Sequence, residues 1–203
     1  MMARCSIGGG AGEFMRAIQP DVAEVVGTEL DHERIEFVTD RLGLDMAHPS
    51  MVMEEYGTGY FDVITLFHVL EHFVTPAEQL EQILELLNDD GLLIVEIPNL
   101  NDWMLKIYRE YRHFWYQDAH AQFFTPISLL ALLDGVGLVG NVEFIQRYSI
   151  QNLFHWLWTG RPQIAEPNKI RHSRLSFSKI VYARMLQSLR ATDTMIVSAV
   201  SRK

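Results

Sequence analysis

Close to the start of the chain runs Cys5-Ser6-Ile7-Gly8-Gly9-Gly10-Ala11-Gly12-Glu13-Phe14, an apolar stretch that breaks into alternate glycines before a helix-compatible segment. Glycine permits positive φ and lets a ligand lie against bare backbone. The N–H groups of the helix start that follows favour a negative group. The pattern is G-x-G-x-G, with Glu13 where a dinucleotide loop of the form G-x-G-x-x-G carries its third glycine, and this counts against NAD or FAD. A plain tight turn would use the same residues.

The segment Ala23-Glu24-Val25-Val26-Gly27-Thr28-Glu29 reads as a β-branched strand ending in an acid. Glu29 stands 17 residues past Gly12, close to the spacing at which an acid closing the second strand reaches ribose hydroxyls. A carboxylate suits a vicinal diol because both oxygens accept hydrogen bonds. The alternative is a strand-end acid that faces water.

With these residues the chain resembles the class I S-adenosylmethionine-dependent methyltransferases. The resemblance extends through Phe61-Asp62-Val63-Ile64, Phe67-His68-Val69-Leu70-Glu71-His72, Asp90 to Asn99 and Ala119 to Pro126, and covers about residues 5 to 148. It implies S-adenosylmethionine as cofactor, held by Ser6, Gly8, Gly10, Gly12, Glu29, Leu30, Phe67 and His68. The family usually has an acid where this chain has Ser6. Serine brings no charge to the methionine end of the cofactor, so weaker binding is expected. The family also usually has further residues before the first strand, so the chain reads as N-terminally short.

Strands alternating with helices indicate an α/β fold, a doubly wound and mostly parallel sheet with helices on both faces and the last strand antiparallel. Pro20 should stop the first helix, and Asp31 should cap a helix over His32 to Leu42 that ends at Gly43. Leu44 to Ala47 is a short strand, and Phe61 to Leu66 a buried one. Thr75-Pro76-Ala77-Glu78 reads as a capping box before a helix with Leu80, Ile83, Leu84 and Leu87 on one stripe, ended by Asn88 to Gly91. Leu92 to Ile97, Val142 to Tyr148 and Thr194 to Ser201 are further strands, the last two paired antiparallel at one sheet edge. The whole is one domain over 1–203, with a helical insertion or cap at about 151–190.

Nearly half of the 203 residues are apolar, enough for a substantial core, and no apolar run reaches the length of a membrane span. One cysteine and no visible signal peptide point to the cytoplasm. A net charge of −9 disfavours bulk nucleic-acid binding. The charge is uneven: residues 150–203 hold nine Lys/Arg against Glu166 and Asp193, a net +7, which leaves −16 on the remainder. A basic cap of this kind would draw in an anionic acceptor such as a phosphorylated sugar. A dimer-forming arm or, less in keeping with the rest, a membrane-surface helix would use the same residues.

Methyl transfer from a sulfonium depends heavily on positioning, but an oxygen or nitrogen acceptor can need a base, for which histidine is suited. His120, whose family counterpart sits on the acceptor side, and His68 are the catalytic candidates. Tyr108, Tyr111, His113, Trp115, Tyr116 and His120 form either a pocket wall or an aromatic satellite core under a loop. No metal site is expected, because His68-x-x-x-His72 lacks the usual third-ligand spacing. The expected function is methyl transfer to a small molecule, a sugar or sugar nucleotide by the resemblance of Gln146 to Pro162 to methyltransferases of polysaccharide and secondary-metabolite pathways. The alternative is a non-catalytic module that only binds S-adenosylmethionine or S-adenosylhomocysteine.

Overall fold

The computed structural model describes residues 2–116, 119–161 and 173–202, with only the backbone described for 173–178. Strands β1 (Ala3–Ile7), β2 (Glu24–Thr28), β3 (Asp45–Ala47), β4 (Phe61–Phe67), β5 (Leu87–Pro98), β6 (Leu138–Ile145) and β7 (Thr194–Ser201) form one sheet in the order β3-β2-β1-β4-β5-β7-β6. The first five run parallel, and β7 lies antiparallel between β5 and β6, as the sequence suggested for the last strand. Because β1, β2, β4 and β5 are parallel and nearly in register (Ile7 opposite Thr28 and Leu66, Phe67 opposite Glu96), their last residues share one rim. Gly8, Glu29, His68 and Asn99 therefore emerge side by side, which is where ligands bind in open α/β sheets.

Helices α1 (Glu13–Ile18), α2 (His32–Glu36), α3 (Pro49–Tyr56), α4 (Pro76–Leu84), α5 (Trp103–Ile107), α6 (Arg109–Trp115), α7 (Pro126–Gly135), α8 (Ile150–Thr159) and α9 (Ser173–Ser188) connect the strands. The near-continuous apolar runs of β4 and β5 are buried on both faces, with Ile64, Leu66, Leu93 and Val95 inaccessible in one large core. A smaller core of Met15, Val22, Val38, Leu44 and Met46 lies under α1 and α2. The N-cap assigned to Asp31 is present, its carboxylate accepting from the Glu33 N–H at 3.0 Å. After α2 the helix widens into a π turn over Phe37–Arg41 before Gly43 ends it.

Three local expectations need correction. Thr75 makes no side-chain cap; its ψ of 74° leaves the extended conformation that aims a hydroxyl at the helix amides, and Gln79 Oε1 instead accepts the Thr75 N–H. Asn88 to Gly91 are not a helix-ending turn but an irregular part of β5, where the register shifts between Phe61 opposite Leu87 and Val63 opposite Leu92. Strand β6 ends at Ile145 rather than Tyr148, because the N–H groups of Arg147 and Tyr148 donate to the Asp193 carboxylate and leave the ladder. On α8, Trp156 is fully buried, whereas Phe154 and Trp158 are exposed. On α9, Tyr182 and Leu186 are buried while Ile180, Val181 and Leu189 face outward.

A third core brings Met104, Leu105, Tyr111 and Trp115 against Trp156, so α5, α6 and α8 pack as one aromatic unit. The Tyr108 hydroxyl donates to the Trp156 carbonyl at 2.8 Å, and the Tyr111 hydroxyl to Asp102 Oδ2 at 2.6 Å. Burial is the main influence on Asp102 and raises its carboxyl from 3.8 to about 6, against the opposing hydrogen bonds from Tyr111 and the Met104 N–H, with the nearby Asp193 charge adding to the rise. The folded chain thus keeps a proton that the unfolded chain releases between about pH 4 and 6, and stability falls as pH rises through that window. Asp102→Asn should flatten this slope, a relative change of up to about 3 kcal/mol in urea unfolding compared at the two ends of the window. Parallel slopes for both proteins would refute the assignment.

Candidate active site

The rim carries two neighbouring features. The first is a cavity of about 620 Å³ beside the glycine loop, walled by Ile7, Gly8, Thr28, Glu29 and Leu30 from the ends of β1 and β2, by Pro49 to Met53 of α3, by Val69 and Phe73, and by α4 between Gln79 and Ile83. Gly8 has φ +65°, and a Cβ there would stand 2.5 Å from a Val69 methyl, so glycine serves both conformation and packing. A Cβ on Gly10 (φ +56°) would meet nothing, so this part of the loop offers open backbone. Glu29 is mostly enclosed; one carboxylate oxygen accepts from the Leu30 N–H at 2.8 Å and the other lies 3.6 Å from Arg34. The site acid is thus held by the following backbone, with its other oxygen near an exposed arginine. The apolar walls suit a heteroaromatic base, and the carboxylate beside a helix start suits a diol.

The second feature is a charged cluster at the ends of β4 and β5. His68 has φ +56°, an uncommon conformation for a residue with a side chain and one that gathers at functional sites. Its Nδ1 lies 3.3 Å from Glu71 Oε1 and its Nε2 3.1 Å from Glu96 Oε1, which also pairs with Arg147. Hydrogen bonds to Glu71 and then Glu96 lift the imidazole to about 9, against the opposing effect of burial. Burial pushes the Glu96 carboxyl up, but its bonds from His68 and Arg147 outweigh that and hold it below the ordinary range. A histidine so paired is a cation near neutrality and a poor base.

Beside this cluster, His72 Nδ1 sits 2.7 Å from the Ala119 carbonyl, and the His72 and His120 rings are 5.1 Å apart. His120 is half-buried against Trp115 and Phe123; burial, above all, lowers its pKa, and the Glu71 charge opposes this. The Oε2 of Glu71 and Nδ1 of His120 are buried without a hydrogen-bond partner.

Of the residues proposed from sequence, the fold gathers Gly8, Glu29 and Leu30 on the cavity wall, with Gly10 and Gly12 in the adjoining loop. Ser6 is instead buried in the sheet between Gly27 and Thr65. Phe67 packs edge-on against Phe14 at 4.7 Å, and the His68 ring turns to the two glutamates rather than to the cavity. Tyr111 and Trp115 belong to the satellite core, whereas Tyr116 and His113 are exposed. Glu96 and Arg147 escaped the sequence reading; the signal for Glu96 was a lone acid inside the apolar run Leu92 to Ile97.

A family model described as a methyltransferase domain matches residues 4–143. The chain belongs to that family. The donor in this class is S-adenosylmethionine, and the glycine loop, Glu29 and the apolar cavity fit its adenosyl portion. Among solved structures, a SAM-dependent methyltransferase from Archaeoglobus fulgidus is similar with TM-score 0.66 and 16% identity over 98% of this chain and 85% of that one. The YcgJ protein of Bacillus subtilis is similar with TM-score 0.65 and 14% identity over 100% and 92%. The plantazolicin methyltransferase BpumL, in complex with SAH, is similar with TM-score 0.59 and 17% identity over 100% and 76%. A search of curated protein sequences finds no match. Among the described residues no helix is long and apolar enough to cross a membrane.

Glu29→Ala should weaken S-adenosylhomocysteine binding by about 1–3 kcal/mol, the range for losing hydrogen bonds to a charged group. Calorimetry on the folded variant reads this directly, and an unchanged affinity would remove Glu29 from the ribose site.

Proposed function

We propose that this methyltransferase moves the methyl group to a hydroxyl of a small molecule, a sugar or sugar nucleotide, that meets the donor over the β4–β5 side of the rim. The observation that carries this is the adjacency on one rim of an apolar, carboxylate-ended cavity and a cluster of imidazoles and carboxylates. In this reading the cavity holds the adenosine, with Gly8, Gly10 and Gly12 along the loop and Glu29 on the ribose. The sulfonium then points toward His68 and His120. The C–S bond breaks as the new C–O bond forms, the electron pair stays on sulfur, and the acceptor hydroxyl gives its proton to His120 as general base. Holding the two reactants in line accounts for much of the rate.

In this reading α8 and α9 cover the acceptor; residues 162–172 of the expected cap lie outside the described residues. Support comes from Trp156, which fastens α8 to the same α5–α6 unit that carries Trp115, the neighbour of His120. The net +7 of residues 150–203, against −16 on the remainder of the chain, favours acceptors bearing phosphate.

A panel of nucleotide sugars, phosphorylated sugars and free sugars, read by release of S-adenosylhomocysteine from S-adenosylmethionine, tests the acceptor class. Release above the acceptor-free background is expected with the phosphate-bearing members. Release with amines alone would redirect the reading to nitrogen acceptors. Phe154→Ser with Trp158→Ser, both exposed, should raise the acceptor KM severalfold and leave donor affinity unchanged; a change from dimer to monomer with unaltered KM would make α8 and α9 an arm.

A further inference from the structure

We propose that Glu71, His72 and His120 bind a first-row divalent transition metal ion that presents an open coordination position to the acceptor. One donor atom from each of the three residues lies within 4.8 Å of the others. Donors about 2.1 Å from one ion stand about 3.4 Å apart in a tetrahedron, so closing on a metal takes side-chain movements of about an ångström. Glu71 and His72 are neighbours in sequence, and spacing along the chain does not reveal the residue that joins them. The third ligand comes from the segment before α7, which the fold lays beside the turn after β4.

The hydrogen bonds around the cluster are those of a prepared site. The His72 Nδ1 at 2.7 Å from the Ala119 carbonyl must carry the proton, since a carbonyl only accepts, and this leaves Nε2 as a lone pair. One Glu71 oxygen is engaged by His68, which fixes the carboxylate, while the other is buried without a partner although the residue is only 2% exposed. His120 Nδ1 is buried and equally without a partner. Buried polar atoms are nearly always satisfied, and two orphans in one three-residue cluster call for a ligand that accepts lone pairs from both. A cation does so. Two imidazoles and one carboxylate favour zinc, iron(II), cobalt(II) or manganese(II) over magnesium or calcium, which prefer all-oxygen sets. His72 is exposed, so the site has an entry path.

The catalytic consequence rests on the proposed hydroxyl acceptor. Coordinated through its oxygen, that hydroxyl would lose its proton to solvent at lower pH, and the resulting alkoxide would take the methyl group. His120 then serves as a ligand and not as a free base.

The test uses the full chain stripped with a chelator. Cobalt(II) should bind at one equivalent and give visible d–d bands, and zinc should displace it. His72→Ala, His120→Ala and Glu71→Gln should each weaken cobalt affinity by at least about 10–100-fold, with S-adenosylhomocysteine affinity unchanged as proof of folding. Stripped protein that binds S-adenosylhomocysteine but takes up no cobalt, zinc or manganese would overturn the site, as would uptake unaffected in all three variants. Failure to bind S-adenosylhomocysteine would sink the methyltransferase reading and leave the metal result standing. Turnover that persists after stripping yet is lost in His120→Ala would overturn the metal's role and return His120 to general base.

Discussion

A single buried carboxylate, Glu96 near the end of β5, ties three separate elements to the rim. It receives His68 from the end of β4 and Arg147 from the foot of β6, and its carbonyl accepts the His68 N–H at 2.8 Å. A charge this enclosed is tolerable only when paired, so the two partners are compelled toward it. That requirement helps hold the uncommon backbone of His68 and thereby aims the turn Leu70–His72 that carries Glu71 and His72. Asp193 plays the matching part on the other side. It accepts from Gln146 and from the N–H groups of Arg147 and Tyr148, which fixes where β6 stops and where Arg147 begins.

The two halves of the rim follow different physical rules. On the β1–β2 side, backbone dominates: glycines with positive φ, a helix start and one strand-end acid make a site whose specificity lies in shape. On the β4–β5 side, ionisable side chains dominate and are drawn from distant segments. In the proposed arrangement the donor, common to the class, meets the fixed loop, while the acceptor meets the ionisable cluster.

This division also governs what could be read from the sequence. Gly8, Gly10, Gly12 and Glu29 are local signals, with conformation and spacing both encoded close together in the chain; the three glycines do take positive φ, and Gly8 and Glu29 line the cavity. The alternation of strands and helices and the antiparallel last strand were legible for the same reason. The pairing of Glu96 with His68 and Arg147 depends on sheet order, which no short window contains. Trp156 and Trp158 differ by two places in an apolar helix, and only the position of α6 decides that one is buried and the other faces out. Thr75 shows the opposite failure: a correct cap composition was overruled by a ψ angle set by the incoming turn.

The place of β7 has a further consequence, for how the molecule assembles. Val95 of β5 meets Val197 of β7, and β6 touches the sheet only through β7. Contacts this remote along the chain are slow to form because the intervening loop must close first. β6 therefore has no strand to pair with until residues 194–201 are available to lie between it and β5. The glycine-loop side of the rim rests on pairings of β1, β2 and β4 that are closer along the chain. The far edge of the sheet depends on the most remote, β5 with β7, so the two ends of one sheet differ in how soon their pairings can close.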